Sequence, residues 1–150
     1  MRDILTANII LTLSALAWAT AQVLKVIVVL IQYKKLDWQL IFSSGGMPRS
    51  HSALVCACAS STGMSCGWSS PVFAVATIFS FVVMYDAANV RHAAGEQAKI
   101  LNYIMEHWTQ FRPEFFVDDL KELLGHTPLQ VFFGALLGLI IGVGGYYLIF

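Results

Sequence analysis

Charge is scarce in this chain. Of 150 residues, 12% are Asp, Glu, Lys or Arg and 57% are hydrophobic, whereas a soluble domain is about a quarter charged and about half apolar. The shortage argues against a soluble enzyme and for a membrane protein. Neither sign is in excess: nine basic residues stand against nine acidic ones, so the basic footprint of a nucleic-acid binder is missing and no such partner is expected. Cysteine is also sparse. Cys56, Cys58 and Cys66 are odd in number, share one apolar stretch and lack ligand spacing, which excludes a disulfide framework and a zinc site and leaves them as small core residues. There is no internal repeat or low-complexity linker. The length suits a single membrane-embedded domain over residues 1–150.

The charges that are present are segregated. Four of the 18 lie between Lys34 and Arg49 and eleven between Asp86 and Glu122. Residues 4–24 carry none, and the apolar run resumes after Lys25 through Tyr33, long enough for a hydrocarbon core of ~30 Å. It is too long, and lacks the small-residue cleavage site, for a secretory signal. The 36 uncharged residues from Ser50 to Tyr85 are interrupted by Gly67-Trp68-Ser69-Ser70-Pro71, which predicts a helical hairpin. Each arm has roughly 16 residues, about 24 Å, so the hairpin either spans barely or is re-entrant. Leu123 to Phe150 is again uncharged. There Gly134, Gly138 and Gly142 fall on one helix face, for close packing inside the chain or for a homodimer seam.

Between His92 and Trp108, Ala94, Ala98, Leu101, Ile104, Met105 and Trp108 recur near helical spacing. That pattern predicts a helix lying along the membrane interface or prolonging the preceding helix into water. Phe111 to Asp119, with Pro113, reads as a connection. The expected fold is all-α: a polytopic membrane helix bundle with about four spanning or partly spanning helices and one interfacial or extended helix. Four crossings put both charged blocks on one side. That side holds seven basic residues against Arg2 on the other, so the positive-inside rule makes it cytoplasmic.

Two histidines occupy matching places, each in a glycine-containing segment where a charged loop enters a helix: Gly45-Gly46-Met47-Pro48-Arg49-Ser50-His51-Ser52 and Gly125-His126-Thr127-Pro128. Helix N-termini present unpaired N–H groups and a positive dipole end, a natural cradle for phosphate or carboxylate. Arg49, Arg91, Lys121 and Lys25 can add positive charge. The plainer alternative is that Pro48 and Pro128 start helices and the histidines cap them. Lys25 and Asp86 stand in apolar surroundings, where each needs a partner or a watery cavity. For Lys25 the alternative is snorkelling to the interface, and for Asp86 a structural pair with Arg91.

GGMPRSHSA at 45–53, YDAANVRHAAGEQA at 85–98 and ELLGHTPLQVFFGALLG at 122–138, together with Ala-Gln-x-x-Lys at 21–25, resemble the divergent branch of the type 2 phosphatidic acid phosphatase and vanadium haloperoxidase superfamily. The resemblance implies a metal-independent phosphatase without a cofactor. It would act on a lipid phosphate or pyrophosphate among membrane lipids, in a bacterial inner membrane. His51 matches the general acid of that family and His126 its nucleophile. Lys25, Arg49, Ser50 and Lys121 match or neighbour its phosphate-binding positions, and Arg91 is a further basic candidate to hold phosphate. Gln130 stands where the family has the aspartate that orients the nucleophile, Arg49 where it has serine and Ser50 where it has glycine. A carboxylate from another helix, Asp86, is the candidate replacement. The alternative function is a non-catalytic protein that binds or moves a phospholipid or polyprenyl phosphate.

Overall fold

The computed structural model describes residues 8–33, 46–107 and 127–149. Among the described residues there are five α-helices and no strand: α1 (Ile9–Tyr33), α2 (Ser50–Cys66), α3 (Pro71–Tyr85), α4 (Arg91–His107) and α5 (Pro128–Ile149). A π-helical turn, Asp86–Val90, joins α3 to α4 without a break. The segment from 92 onward therefore prolongs the preceding helix. Ile9–Ile31, Pro71–Ile104 and Pro128–Ile149 are each long and apolar enough to cross a membrane. The 34 residues of the second stretch measure about 51 Å, well beyond a ~30 Å hydrocarbon core, so one end of that rod stands outside it. The connection at 111–119 lies outside the described residues.

The sequence pattern cast α2 as one arm of a hairpin. In the bundle it is the central helix, packed on α1, α3 and α5. Its composition explains why. Ala53, Ala57, Ser60, Ser61 and Gly63 are buried, and small side chains let neighbouring backbones approach where lipid supplies no hydrophobic drive between helices. The core is accordingly an alanine cluster, Ala17 and Ala21 of α1 with Ala53 and Ala57 of α2, flanked by Leu137 and Ile141. Three hydroxyls that the second half of α2 brings into this apolar setting return to its own carbonyls. Ser60 Oγ donates to Cys56 O at 2.8 Å, Ser61 Oγ to Ala57 O at 2.6 Å and Thr62 Oγ1 to Cys58 O at 2.7 Å.

Register follows from specific contacts. A Cβ on Gly134 would strike Arg49 O, one on Gly138 would strike Ala53 O, and one on Gly142 would strike Ser60 Oγ and lie 2.9 Å from Ala57 O. The helices α2 and α5 thus run parallel, in step at four-residue intervals, with the glycine face of α5 turned to α2. On the other flank Ser80 Oγ donates to Val55 O at 2.9 Å and Cys56 Sγ lies 3.8 Å from Met84 Sδ, while nearer the turn a Cβ on Gly63 would lie 3.1 Å from the Phe73 ring; the pairs 55 with 80 and 63 with 73 make α3 antiparallel to α2. Gly145 meets Leu13 while Gly46 meets Lys25, so α1 is antiparallel to both α2 and α5. The turn between α2 and α3 closes with Gly67 at φ 89° and with Ser70 capping α3 by accepting from Phe73 N at 3.2 Å. Cys56 is a buried core residue as expected; Cys66, ending α2 at this turn, is exposed.

Candidate functional site

The antiparallel and parallel registers gather the polar candidates at one end of the bundle. Lys25, sixteen residues after the start of α1, is 5% exposed. Its stem does not snorkel outward; it lies against Gly46, whose built Cβ would be 2.8 Å from Lys25 Cε and 2.9 Å from Cγ. Gly46 has φ 95°, a conformation glycine adopts without steric penalty. Only such a residue lets this loop cross the lysine so closely. Three residues later Arg49, 4% exposed, occupies the N-cap of α2 without a side-chain cap bond. Ser50 and His51 form the first turn, Ser50 half-buried and His51 exposed. The N-cap position of α2 thus belongs to Arg49 and not to the histidine.

The start of α5 is held to the start of α2. Arg49 N donates to Gln130 O at 3.1 Å. Thr127 and Gln130 cap α5 reciprocally: Gln130 N donates to Thr127 Oγ1 at 3.3 Å, and Thr127 N donates to Gln130 Oε1 at 3.2 Å. This is a capping box. Its Thr-x-x-Gln spacing ahead of an apolar run is visible in the sequence, yet Gln130 was there read only as the orienting group for His126. Its carboxamide oxygen is engaged at the helix start. His126 stands one residue before this cap in sequence; it and Lys121 lie outside the described residues, as does the side chain of Arg91.

Asp86 opens the π turn, half-buried, with its backbone N–H shared between Val82 O and Val83 O. Asn89 Nδ2 reaches back to Tyr85 O at 3.3 Å. The helix does not end at Asp86 but runs on through Val90 into α4. The Cys56–Met84 contact puts Asp86 level with the first turns of α2, and neighbouring Ala87 is fully buried. Wide π turns recur at functional positions in helices. Lys25, the 46–51 loop, Asp86 and the α5 start thus share one end, while Cys66 and Trp68, edge-on to Phe73 at 5.0 Å, mark the other.

A family model described as the Divergent PAP2 family matches residues 6–141. The chain belongs to that family. It is 42% identical over 147 residues, 91% of this chain and 93% of the relative, to the "Uncharacterized membrane protein YuiD" of Bacillus subtilis (strain 168). No solved structure matches. Family membership, a membrane-protein relative and three spanning-length helices make this an integral membrane protein.

Proposed function

We propose that the charged end of the bundle takes the phosphate or pyrophosphate group of a lipid and hydrolyses it through a phosphohistidine. The observation that carries this reading is the packing of buried Lys25 under the loop that leads, through Arg49, into α2 and across to the start of α5. A cation held inside an apolar bundle beside two helix N-termini suits a phosphoryl group. In the first step a ring nitrogen of His126 attacks phosphorus, the bond from phosphorus to the lipid oxygen breaks, and His51 gives that oxygen its proton. In the second, His51 takes a proton from water, the hydroxide displaces the histidine, and phosphate leaves. Lys25, Arg49, Ser50, Arg91 and Lys121 hold the phosphoryl oxygens and offset charge developing in the transition state. Asp86 supplies the carboxylate that Gln130 lacks. The lopsided basic-residue count turns this end to the cytoplasmic side of a bacterial inner membrane.

One observation favours a second reading, binding or movement of a lipid phosphate without turnover: Gln130 is neutral and its carboxamide oxygen is taken up by the α5 cap. Phosphate release by the purified protein, from lipid phosphates and pyrophosphates with diacylglyceryl and prenyl tails, separates the two. Turnover abolished in His126→Ala and in His51→Ala supports hydrolysis; lipid-phosphate binding with no release supports the second reading.

A further inference from the structure

Apolar surroundings leave a polar atom few options, and most hydroxyls in this bundle resolve the problem locally, as Ser14 does by donating to Ile10 O at 2.6 Å. The carboxamide oxygen of Gln22 does not: it is buried and has no hydrogen-bond partner among the described residues. Ser52 Oγ and Thr77 Oγ1 share that condition, but a hydroxyl carries its own donor, and a change of rotamer can return it to a carbonyl three or four residues back. A carboxamide oxygen only accepts. Mid-helix N–H groups are committed to the backbone ladder, so α1 has no donor to offer it. An unsatisfied acceptor at membrane depth is destabilising by several kcal/mol, and its donor has to come from outside the helix.

Gln22 lies one turn before Lys25, on the neighbouring patch of the α1 surface and about 4.5 Å further into the bundle along the axis. The lysine stem is roofed by Gly46, so Gln22 stands one turn inward of the charged end. We propose that Gln22 is a contact for the phosphate-bearing headgroup of a membrane lipid, an inference that rests on the lipid-phosphate reading of this end. Its oxygen accepts from a P–OH or a headgroup hydroxyl, and a half-turn of the carboxamide presents the N–H2 group to a phosphoryl oxygen instead. Depth ties the contact to lipid-borne phosphate, since a free anion held at Lys25 has no tail to draw it inward.

Gln22→Met tests this, because methionine keeps length and flexibility and removes the amide. Binding of phosphatidic acid, farnesyl pyrophosphate and inorganic phosphate is measured by titration of the detergent-solubilised protein, with the thermal midpoint of the ligand-free protein and Lys25→Met as the site control. The expected result is at least a 10-fold weaker binding of a lipid phosphate by Gln22→Met, little change for inorganic phosphate, and a ligand-free midpoint equal to or above the wild type, since an orphan acceptor is gone. Unchanged lipid binding in Gln22→Met alongside weakened binding in Lys25→Met overturns the Gln22 assignment and leaves the site reading standing. A lowered ligand-free midpoint makes Gln22 structural and also overturns it. A wild-type protein that binds neither lipid overturns both.

Discussion

The backbone N–H of Arg49 donates to the carbonyl oxygen of Gln130 at 3.1 Å, so the residue before α2 is bonded directly into the first turn of α5. The bond fixes the phase of the glycine ridge that follows it. Gly138 then meets Ala53 O, whereas Gly144, on the same helix, meets nothing within 4 Å. Gly138→Ala should therefore lose about 1–3 kcal/mol through overpacking against a backbone that cannot yield. Gly144→Ala should gain up to ~1 kcal/mol from helix propensity. Thermal midpoints of the two variants in one detergent check the pair; equal shifts would mean that α5 does not pack on α2 in this register.

At Gly46 two penalties coincide, a φ of 95° and the Lys25 stem. Gly46→Ala should cost about 1–3 kcal/mol in backbone strain and push the lysine from its place. Binding of a lipid phosphate should fall at least as far as in Lys25→Met. Normal binding with a normal midpoint would remove the loop from the site.

The capping box separates two roles for Gln130. Thr127→Ala should destabilise by about 0.5–2 kcal/mol, as loss of an N-cap does, whereas Gln130→Glu preserves the reciprocal bonds, since glutamate serves equally in that motif. Folded Gln130→Glu with unchanged phosphate release is the expected outcome. A rise in turnover with the restored negative charge would show that this side chain acts on His126 after all.

For Asp86, Asp86→Asn retains size and removes charge. Phosphate release, or lipid-phosphate binding where there is no release, should drop by at least ~10-fold, about 1.4 kcal/mol, with the fold intact in detergent. Loss of folded protein, restored in Asp86→Asn with Arg91→Gln, would instead establish a structural pair.

Cys66 is an exposed native thiol at the end opposite Lys25. With the charged end in the cytoplasm, a membrane-impermeant maleimide should label Cys66 from outside intact cells. It should fail to label single cysteines placed at Lys35 or Arg112 in a background without native cysteines. The reverse pattern would invert the protein.

Much of the fold was legible because charge cannot be buried in lipid without a partner: the uncharged tracts gave α1, the α2–α3 pair and α5, and the Gly67–Pro71 cluster gave the turn between them. Four-residue glycine spacing gave the α5 face that packs. What the pattern did not show was the rank of α2, because hydropathy measures contact with lipid and a central helix needs small residues instead; Ser60, Ser61 and Thr62 were the signal. The π turn was hidden because Tyr85 to Val90 reads as ordinary helix, and backbone pitch leaves no residue signature there. At the site, Lys25, Arg49 and Asp86 stood out as charges out of place. Gln22 did not, since an uncharged amide inside an apolar run weighs little in a charge count.

The wide turn after Tyr85 sets a rotational phase. An α-helix advances about 100° per residue, so the additional residue taken up at Asp86–Val90 decides which way the inner face of α4, Gly95, Ala98 and Asn102, points relative to the lipid-facing side of α3. Removing one residue there would keep every side chain of α4 and swing that face by about a quarter turn, so that the outer half of the rod would meet its surroundings with Ile100 and Tyr103 reoriented. The π turn thus acts as a gearing between what lies inside the membrane and what lies beyond it, and a one-residue deletion is the mutation to which that gearing is most sensitive.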